Sequence, residues 1–131
     1  MPVEHAEWRS LMFARVSYER YPPEHHAAAI RIVLKELLPV LQRAPGCRGC
    51  LLLADGKPGA GLTLVLWETE EAADAASADR GAVAAQVKLA ALGQAIESRK
   101  IYEVVAQMGP GAIAPQETPS QARSEESARK E

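Results

Sequence analysis

Apolar and polar residues first alternate along residues 11–18, and a repeat of two residues is typical of a strand with two different faces. The predicted strand has Met12, Ala14, Val16 and Tyr18 on one face and Leu11, Phe13, Arg15 and Ser17 on the other. The prolines that follow it break the strand and suit the first turn of a helix.

From Glu24 onwards the apolar residues recur every three or four positions, as they do on one face of an amphipathic helix. The repeating positions are Ile30, Val33, Leu34, Leu37, Leu38 and Leu41. Pro39 lacks an amide hydrogen and is expected to end or kink this helix, and the Ala-Pro-Gly turn at 44–46 closes it.

The second half of the chain also shows strand and helix patterns, in the order strand, strand, helix, strand. Two apolar segments, 50–55 and 62–69, are joined by a Gly- and Pro-rich turn and predict a β-hairpin. Thr69 is a predicted N-cap, and Ala-rich helical sequence runs from it to about Glu97 with a break near 77–81. A last strand is predicted over 100–108.

The element order is therefore β-α-β-β-α-β over residues 11–108, which predicts an α+β, ferredoxin-like sandwich. Its antiparallel sheet has the helices on one face, and the apolar second face favours a homodimer packed sheet against sheet. Residues 1–10 are interpreted as an N-terminal arm. Residues 109–131 are rich in Pro, Ser, Glu and Gln and predict a disordered tail.

Charge and composition exclude several classes of function. The formal net charge is −2, so no basic surface is expected to hold nucleic acid or an anionic membrane. An RNA-recognition motif shares the element order, but its exposed aromatic residues are missing from the central strand at 62–69. Neither a signal peptide nor an apolar run of about 20 residues is seen, and we expect a cytoplasmic protein.

Both cysteines, Cys47 and Cys50, lie in a C-x-x-C sequence where a loop enters an apolar strand. A redox pair of the thioredoxin type lies instead at a helix N-terminus, where the helix dipole lowers the pKa of the thiol. A structural zinc site needs four ligands, and the sequence has no second C-x-x-C. We therefore interpret Cys47 and Cys50 as structural residues, small and apolar at the entry to a strand, and predict no metal site.

Two segments carry a resemblance to a known family. "PGCRGCLLL" (45–53) resembles the turn into the second strand of the antibiotic biosynthesis monooxygenase superfamily. "LVLWETEEAADAAS" (64–77) resembles its strand that ends in Trp-Glu before an acidic, Ala-rich helix. The resemblance covers about residues 11–108 and implies a dimeric α+β barrel. It also implies a pocket between the sheet and its own helices, with Trp67 on the wall.

The superfamily includes cofactor-free oxygenases that form quinones, haem-degrading monooxygenases and members without a known substrate. The haem degraders use a His about ten residues after the Trp and an Asn on the first strand. This chain has no His after His26 and no Asn at all, so haem degradation is the least favoured alternative. The quinone-forming members use an Asn near the Trp, and the nearest polar residue here is Thr63.

The favoured function is therefore a cofactor-independent monooxygenase that acts on a small aromatic or polyketide-like compound. Trp67 is expected to stack on the substrate. Ser17 and Tyr18 are candidates to hydrogen-bond its oxygen atoms, Ser17 as a substrate-binding residue and Tyr18 as a catalytic one. His25 or His26 is the candidate catalytic base.

Arg15 and Thr63 are further candidates for substrate binding, and Arg15 has two interpretations. On an otherwise apolar strand its side chain either enters a polar cavity or forms an ion pair at the dimer edge. The alternative function is a non-catalytic dimer that binds a small hydrophobic or aromatic molecule. The sequence leaves open whether the protein is an enzyme.

Overall fold

The computed structural model describes residues 8–9, 12–109 and 116–117. The elements are, in order, β1 (Trp8–Arg9), β2 (Phe13–Arg20), a 3-10 turn (Pro23–His25), α1 (His26–Ile32), a π-helical turn (Val33–Leu37), α2 (Leu38–Arg43), β3 (Cys47–Ala54), β4 (Ala60–Trp67), α3 (Glu70–Ser77), α4 (Arg80–Ala91), β5 (Ala95–Glu103) and β6 (Gln116–Glu117). The larger compact unit is Phe13–Tyr102.

A four-stranded sheet with the order β3-β4-β2-β5 forms the larger unit. Strand β4 runs antiparallel to both β2 and β3, with Ser17 opposite Thr63 and Cys50 opposite Val65. Helices α2 and α3 pack on one face of this sheet, where Leu41, Val65, Trp67, Ala73 and Ala76 form a buried cluster. The predicted ferredoxin-like α+β arrangement is confirmed.

The helical segment after β2 continues past Pro39, but it changes its winding just before that residue. Val33–Leu37 forms a π-helical turn, and α2 then runs to Arg43. Proline cannot donate to the carbonyl one turn earlier, and a wider turn is a known way to accommodate the loss. The predicted kink therefore takes the form of a π turn. Ile30 and Leu34 of the predicted apolar stripe are exposed.

Two side-chain caps start the helices that follow the hairpin. Thr69 Oγ1 accepts a hydrogen bond from the Ala72 amide, as the sequence predicts for an N-cap. Asp79 caps α4 in the same way, and this second cap accounts for the predicted break near 77–81.

The last strand of the sheet begins earlier than predicted. Helix α4 ends at Ala91, and Gly93 follows with a φ of 90°, a conformation typical of a residue just after a helix. Strand β5 then starts at Ala95, where the sequence analysis continues the helix to about Glu97. Most β5 side chains are exposed, so the strand has no apolar alternation that would reveal it in the sequence.

The smaller unit comprises Met1–Met12 and Glu103–Glu131, and only part of it is described. In it, β1 pairs antiparallel with β6. The predicted N-terminal arm and the predicted disordered tail lie largely outside the described residues, and β6 falls within the segment assigned to the tail. Among the residues that the structure describes, no helix combines the length and apolar character needed to cross a membrane.

Candidate functional site

A cavity of about 160 Å³ lies between the sheet and the helices, and we call it the Trp67 cavity. Strands β2 and β4 supply Arg15, Ser17, Glu19, Thr63, Val65 and Trp67 to its wall, and β5 supplies Arg99. The helical side is formed mainly by small and aliphatic residues. The four residues predicted to bind substrate, Arg15, Ser17, Thr63 and Trp67, therefore line the same cavity.

The register of the sheet explains why these residues meet. In antiparallel strands, residues two apart on one strand and their direct partners on the next share a face. Arg15 pairs with Val65 and Ser17 pairs with Thr63, and the same face extends to Glu19. A polar strip therefore follows β2 and enters a cavity that is otherwise mostly apolar.

Trp67 ends strand β4, and only 2% of it is exposed. Its indole Nε1 is buried and has no hydrogen-bond partner within the described part of the chain. A buried donor without an acceptor costs about 1–3 kcal/mol, which is why such groups are rare in folded proteins. An acceptor atom of a bound ligand would remove this cost.

Ser17 and Arg99 supply further donors to the same cavity. Ser17 is 5% exposed, and its Oγ accepts a hydrogen bond from Arg99 Nε at 3.2 Å. This contact ties β5 to β2 and holds the guanidinium beside the cavity. The cavity thus combines a serine hydroxyl and a fixed positive charge beside the Trp67 ring, a set that suits a ligand with an oxygen acceptor.

Arg15 is fixed by two residues of α3. Its terminal nitrogens donate to Asp74 Oδ1 at 2.8 Å and to Ser77 Oγ at 2.9 Å. Asp74 is largely exposed, so the ion pair is expected to add less than about 1 kcal/mol to the stability. Its effect is on geometry, since it fixes the guanidinium at one end of the Trp67 cavity.

Glu19 and Thr63 form the most buried acid contact of the site. Thr63 Oγ1 donates a hydrogen bond to Glu19 Oε1 at 2.7 Å. Burial raises the pKa of the Glu19 carboxyl group, while this hydrogen bond and the charge of Arg99 counteract part of the rise. The carboxyl group is therefore a stronger base than a glutamate in water.

A second cavity of about 140 Å³ adjoins the first and shares Glu19 and Thr63 with it. We call it the apolar cavity, because its remaining wall is largely aliphatic. The wall includes Tyr21 after β2, Ala29, Ile30 and Val33 of the helix, and Leu52 of β3.

The three residues predicted to be catalytic line neither cavity. Tyr18 lies on the opposite face of β2, and its hydroxyl donates to Asp55 Oδ2 at 2.7 Å. His25 Nδ1 is 3.0 Å from the carbonyl oxygen of Leu92. His26 Nδ1 accepts a hydrogen bond from the Gly59 amide at 3.2 Å.

Glu19 and Arg99 are the site residues that the sequence analysis misses. Glu19 continues the inward positions of Arg15 and Ser17, so the strand alternation could have revealed it if the strand had been extended by one residue. Arg99 lies in β5, which the sequence analysis places too late. No sequence signal marks Gln86, which reaches the cavity from α4.

Both cysteines are free thiols inside strand β3, and they pack against the cluster around Trp67. Burial raises the pKa of Cys50 to about 11, with smaller contributions from Cys47 and Glu19, so its thiol is poorly reactive near neutral pH. Within the described ranges, no three His, Cys, Asp or Glu side chains form a group that could hold a metal ion. The packing of both thiols against the cluster around Trp67 agrees with a structural role for the two cysteines.

Comparison with solved structures gives close agreement in fold at low sequence identity. A proposed antibiotic biosynthesis monooxygenase from Chloroflexus aurantiacus has a TM-score of 0.64 and 21% identity, over 75% of this chain and 97% of the other. SnoaB, a cofactor-independent oxygenase from Streptomyces nogalater, has a TM-score of 0.59 and 19% identity, over 76% of this chain and 97% of its own. The chain thus has the fold of the antibiotic biosynthesis monooxygenases, as the resemblance implies.

No protein-family model matches the chain. No curated protein matches it either. At the identities given above, the likeness establishes the fold and leaves the reaction to be argued from the site.

Proposed function

We propose that this protein is a cofactor-independent monooxygenase that oxidises a small aromatic or polyketide-like compound in the Trp67 cavity. The observation that carries the proposal is a cavity of about 160 Å³ lined by Trp67, Ser17 and Arg99, next to which the buried Nε1 of Trp67 has no partner among the described residues. A cavity of roughly 150 Å³ accepts an aromatic ring. The fold shared with SnoaB, itself a cofactor-independent oxygenase, supports the same function.

An oxygenase without a cofactor needs a substrate that can become an electron-rich anion, because that anion supplies electrons to dioxygen. A suitable substrate is an anthrone-like phenol, whose ring CH₂ group is acidic. In the overall reaction this CH₂ becomes C=O with one oxygen atom of O₂, and the other oxygen atom leaves as water with the two hydrogens. The protein's part is to bind the substrate, stabilise its oxyanion and exclude bulk water.

The residues of the Trp67 cavity can bind the substrate and stabilise its oxyanion. The face of Trp67 can stack on the rings, and its Nε1 can donate to the ring oxygen. Ser17 and Arg99 add donors that become stronger when charge develops on that oxygen, which is the condition for lowering a barrier. Arg15, held by Asp74 and Ser77, closes the polar end of the cavity.

We further propose that the chain works as a homodimer. The sheet face opposite the Trp67 cavity, here called the outer face, presents Val16, Leu51, Leu53, Leu62, Leu64 and Leu66, as the strand register shows. Leu51 is 54% exposed and Leu53 is 44% exposed. An apolar face of this extent favours a partner, and a second copy related by a two-fold axis is the simplest one.

The alternative is a non-catalytic protein that binds the same class of compound. The positions of Tyr18, His25 and His26 outside the cavity favour it, as does the absence of Asn from the sequence. The two functions share the binding site and differ in whether dioxygen is consumed.

Oxygen uptake distinguishes the two functions. Metal-free wild type would be incubated with a panel of anthrone-like phenols, with Trp67→Phe as the test variant and Tyr102→Phe as the control. Tyr102 is half-exposed and lines neither cavity. We expect uptake above the uncatalysed rate that falls in Trp67→Phe and persists in Tyr102→Phe. Binding of the panel without uptake would support the non-catalytic alternative.

A further inference from the structure

Glu19 occupies the boundary between the two cavities. It is the third inward residue of β2 after Arg15 and Ser17, and it lines both the Trp67 cavity and the apolar cavity. Thr63 fixes its orientation, since the threonine hydroxyl donates to Oε1 at 2.7 Å and occupies one of the two carboxylate oxygens. A ligand that extends from one cavity into the other would pass this carboxyl group.

The surroundings of Glu19 contain few groups that could exchange a proton near neutral pH. Arg99 faces it from β5 and Arg15 lies further along its own strand, and arginine keeps its proton. Burial, with the charge of Glu19 adding to it, raises the pKa of Tyr21 to about 12. Cys50 of β3 is close enough to feel the charge of Glu19, and its raised pKa also keeps it protonated.

The helices packed against Glu19 add no competing charge. Their contributions to the two cavities are aliphatic residues, Ser77 and Gln86. Glu19 is therefore the single residue among those lining the two cavities that can accept a proton near neutral pH. Its burial strengthens it as a base, while Arg99 keeps the carboxylate form accessible.

We infer that Glu19 is the general base of the site, and that it removes the acidic proton of an anthrone-like phenol held against Trp67. This inference rests on the function proposed above. It replaces the histidines as the candidate base, and it implies a substrate whose acidic carbon lies between the donors of the Trp67 cavity and the apolar cavity. The apolar cavity would then hold the part of the ring system that carries no polar group.

In the first step, the proton of the ring CH₂ moves to Glu19, and the electron pair of the broken C–H bond remains on the substrate as an enolate. The enolate reduces dioxygen, the second substrate, and forms a C–O bond to give a peroxide anion. Glu19 returns its proton to the terminal oxygen, and loss of water with the remaining ring hydrogen gives the C=O group. The carboxylate is then ready for another cycle.

The direct test separates proton removal from oxidation. Wild type would be titrated with 1,8-dihydroxyanthrone under anaerobic conditions, and absorption would report the anionic fraction of the bound probe. The test variant is Glu19→Gln, which keeps the shape of the side chain. The control is Glu97→Gln, which removes a half-exposed carboxylate of β5 that pairs with Arg20 outside both cavities.

We expect wild type and the control to raise the anionic fraction of the probe at least about tenfold above that in buffer at the same pH, equivalent to one pKa unit. Glu19→Gln should bind the probe in its neutral form, and Glu19→Asp should recover part of the anion. A neutral probe in wild type, whether bound or free, would overturn the inference. An anion that forms equally in Glu19→Gln would overturn it as well.

Admission of oxygen then tests the proposed function independently. An anion that forms on wild type and persists in air supports Glu19 as the base and contradicts the oxygenase. Turnover that is equal in wild type and Glu19→Gln supports the oxygenase and contradicts the assignment of Glu19. Circular dichroism of each variant verifies that the fold is retained.

Discussion

Replacement of Trp67 by Phe should separate the binding role of the indole from its role in packing. The side chain is almost fully buried in the cluster with Leu41, Val65, Ala73 and Ala76, so truncation to Ala would cost about 3–5 kcal/mol. Phenylalanine is smaller by roughly 40 Å³, and at about 24 cal/mol per Å³ the void costs about 1 kcal/mol. The change also removes the unpartnered Nε1, which relieves about 1–3 kcal/mol.

These two effects oppose each other, so the free energy of unfolding of Trp67→Phe should stay within about 2 kcal/mol of wild type. Ligand affinity should respond differently, because the hydrogen bond to the ligand oxygen is lost. A hydrogen bond to a neutral acceptor such as a quinone oxygen contributes about 0.5–1.5 kcal/mol, which corresponds to a loss of affinity of about 2- to 12-fold.

Two measurements test this reasoning together. Urea denaturation gives the free energy of unfolding, and isothermal titration with 1,8-dihydroxyanthraquinone gives the dissociation constant. The control is again Tyr102→Phe, for which neither quantity should change. A Trp67→Phe variant that loses 3 kcal/mol or more of stability (about the cost of removing a core aromatic side chain) while it binds the quinone like wild type would refute the reasoning.

Burial raises the pKa of Glu19 above 4.5, so the folded protein keeps this proton at pH values at which the unfolded chain has lost it. Stability therefore falls as the pH rises from 4.5 to the folded-state pKa; Glu19→Gln should be more stable than wild type at pH 8 and equal to it at pH 4, and an equal difference in urea denaturation at both pH values would contradict this. Leu51→Glu should convert the dimer to a monomer in sedimentation, whereas a wild type that is already monomeric at micromolar concentration would contradict the outer-face proposal. With a pKa near 11, against an ordinary 9.0, Cys50 of the wild type should react with iodoacetamide at pH 8 about 100-fold more slowly than free cysteine, as followed by peptide mass mapping, and equal rates would contradict its burial.

The sequence predicts those parts of the fold in which a local pattern and its burial agree. The residues of β2 alternate because Arg15 and Ser17 line the Trp67 cavity on one face, whereas Ala14 and Val16 lie on the other face. Thr69 is recognised as a cap because its hydroxyl accepts a hydrogen bond from the first turn of the helix. Strand β5 is placed too late because its side chains are mostly exposed, and an exposed strand need not alternate. The π turn before Pro39 depends on how the whole helix packs, which the proline alone does not specify.

The residues of the candidate site could also be predicted from the sequence only in part. Trp67, Arg15, Ser17 and Thr63 can be selected from the sequence because they follow a resemblance or stand out on apolar strands. The residues with acid–base chemistry cannot be ranked in this way, because a histidine near a helix start and a glutamate at a strand end look equally accessible in the sequence. The strand alternation can indicate that Glu19 lies inside, but only the structure shows that Thr63 holds it and that Arg99 lies nearby.

The most direct test of the account is a crystal structure of the protein with 1,8-dihydroxyanthraquinone. The account predicts that the rings lie in the Trp67 cavity, with one quinone oxygen within about 3 Å of Trp67 Nε1. It also predicts that the carbonyl carbon of the central ring that corresponds to the CH₂ group of the anthrone lies beside Glu19. Quinone bound elsewhere, with Trp67 Nε1 still unpartnered, would contradict the claim that this cavity is the functional site.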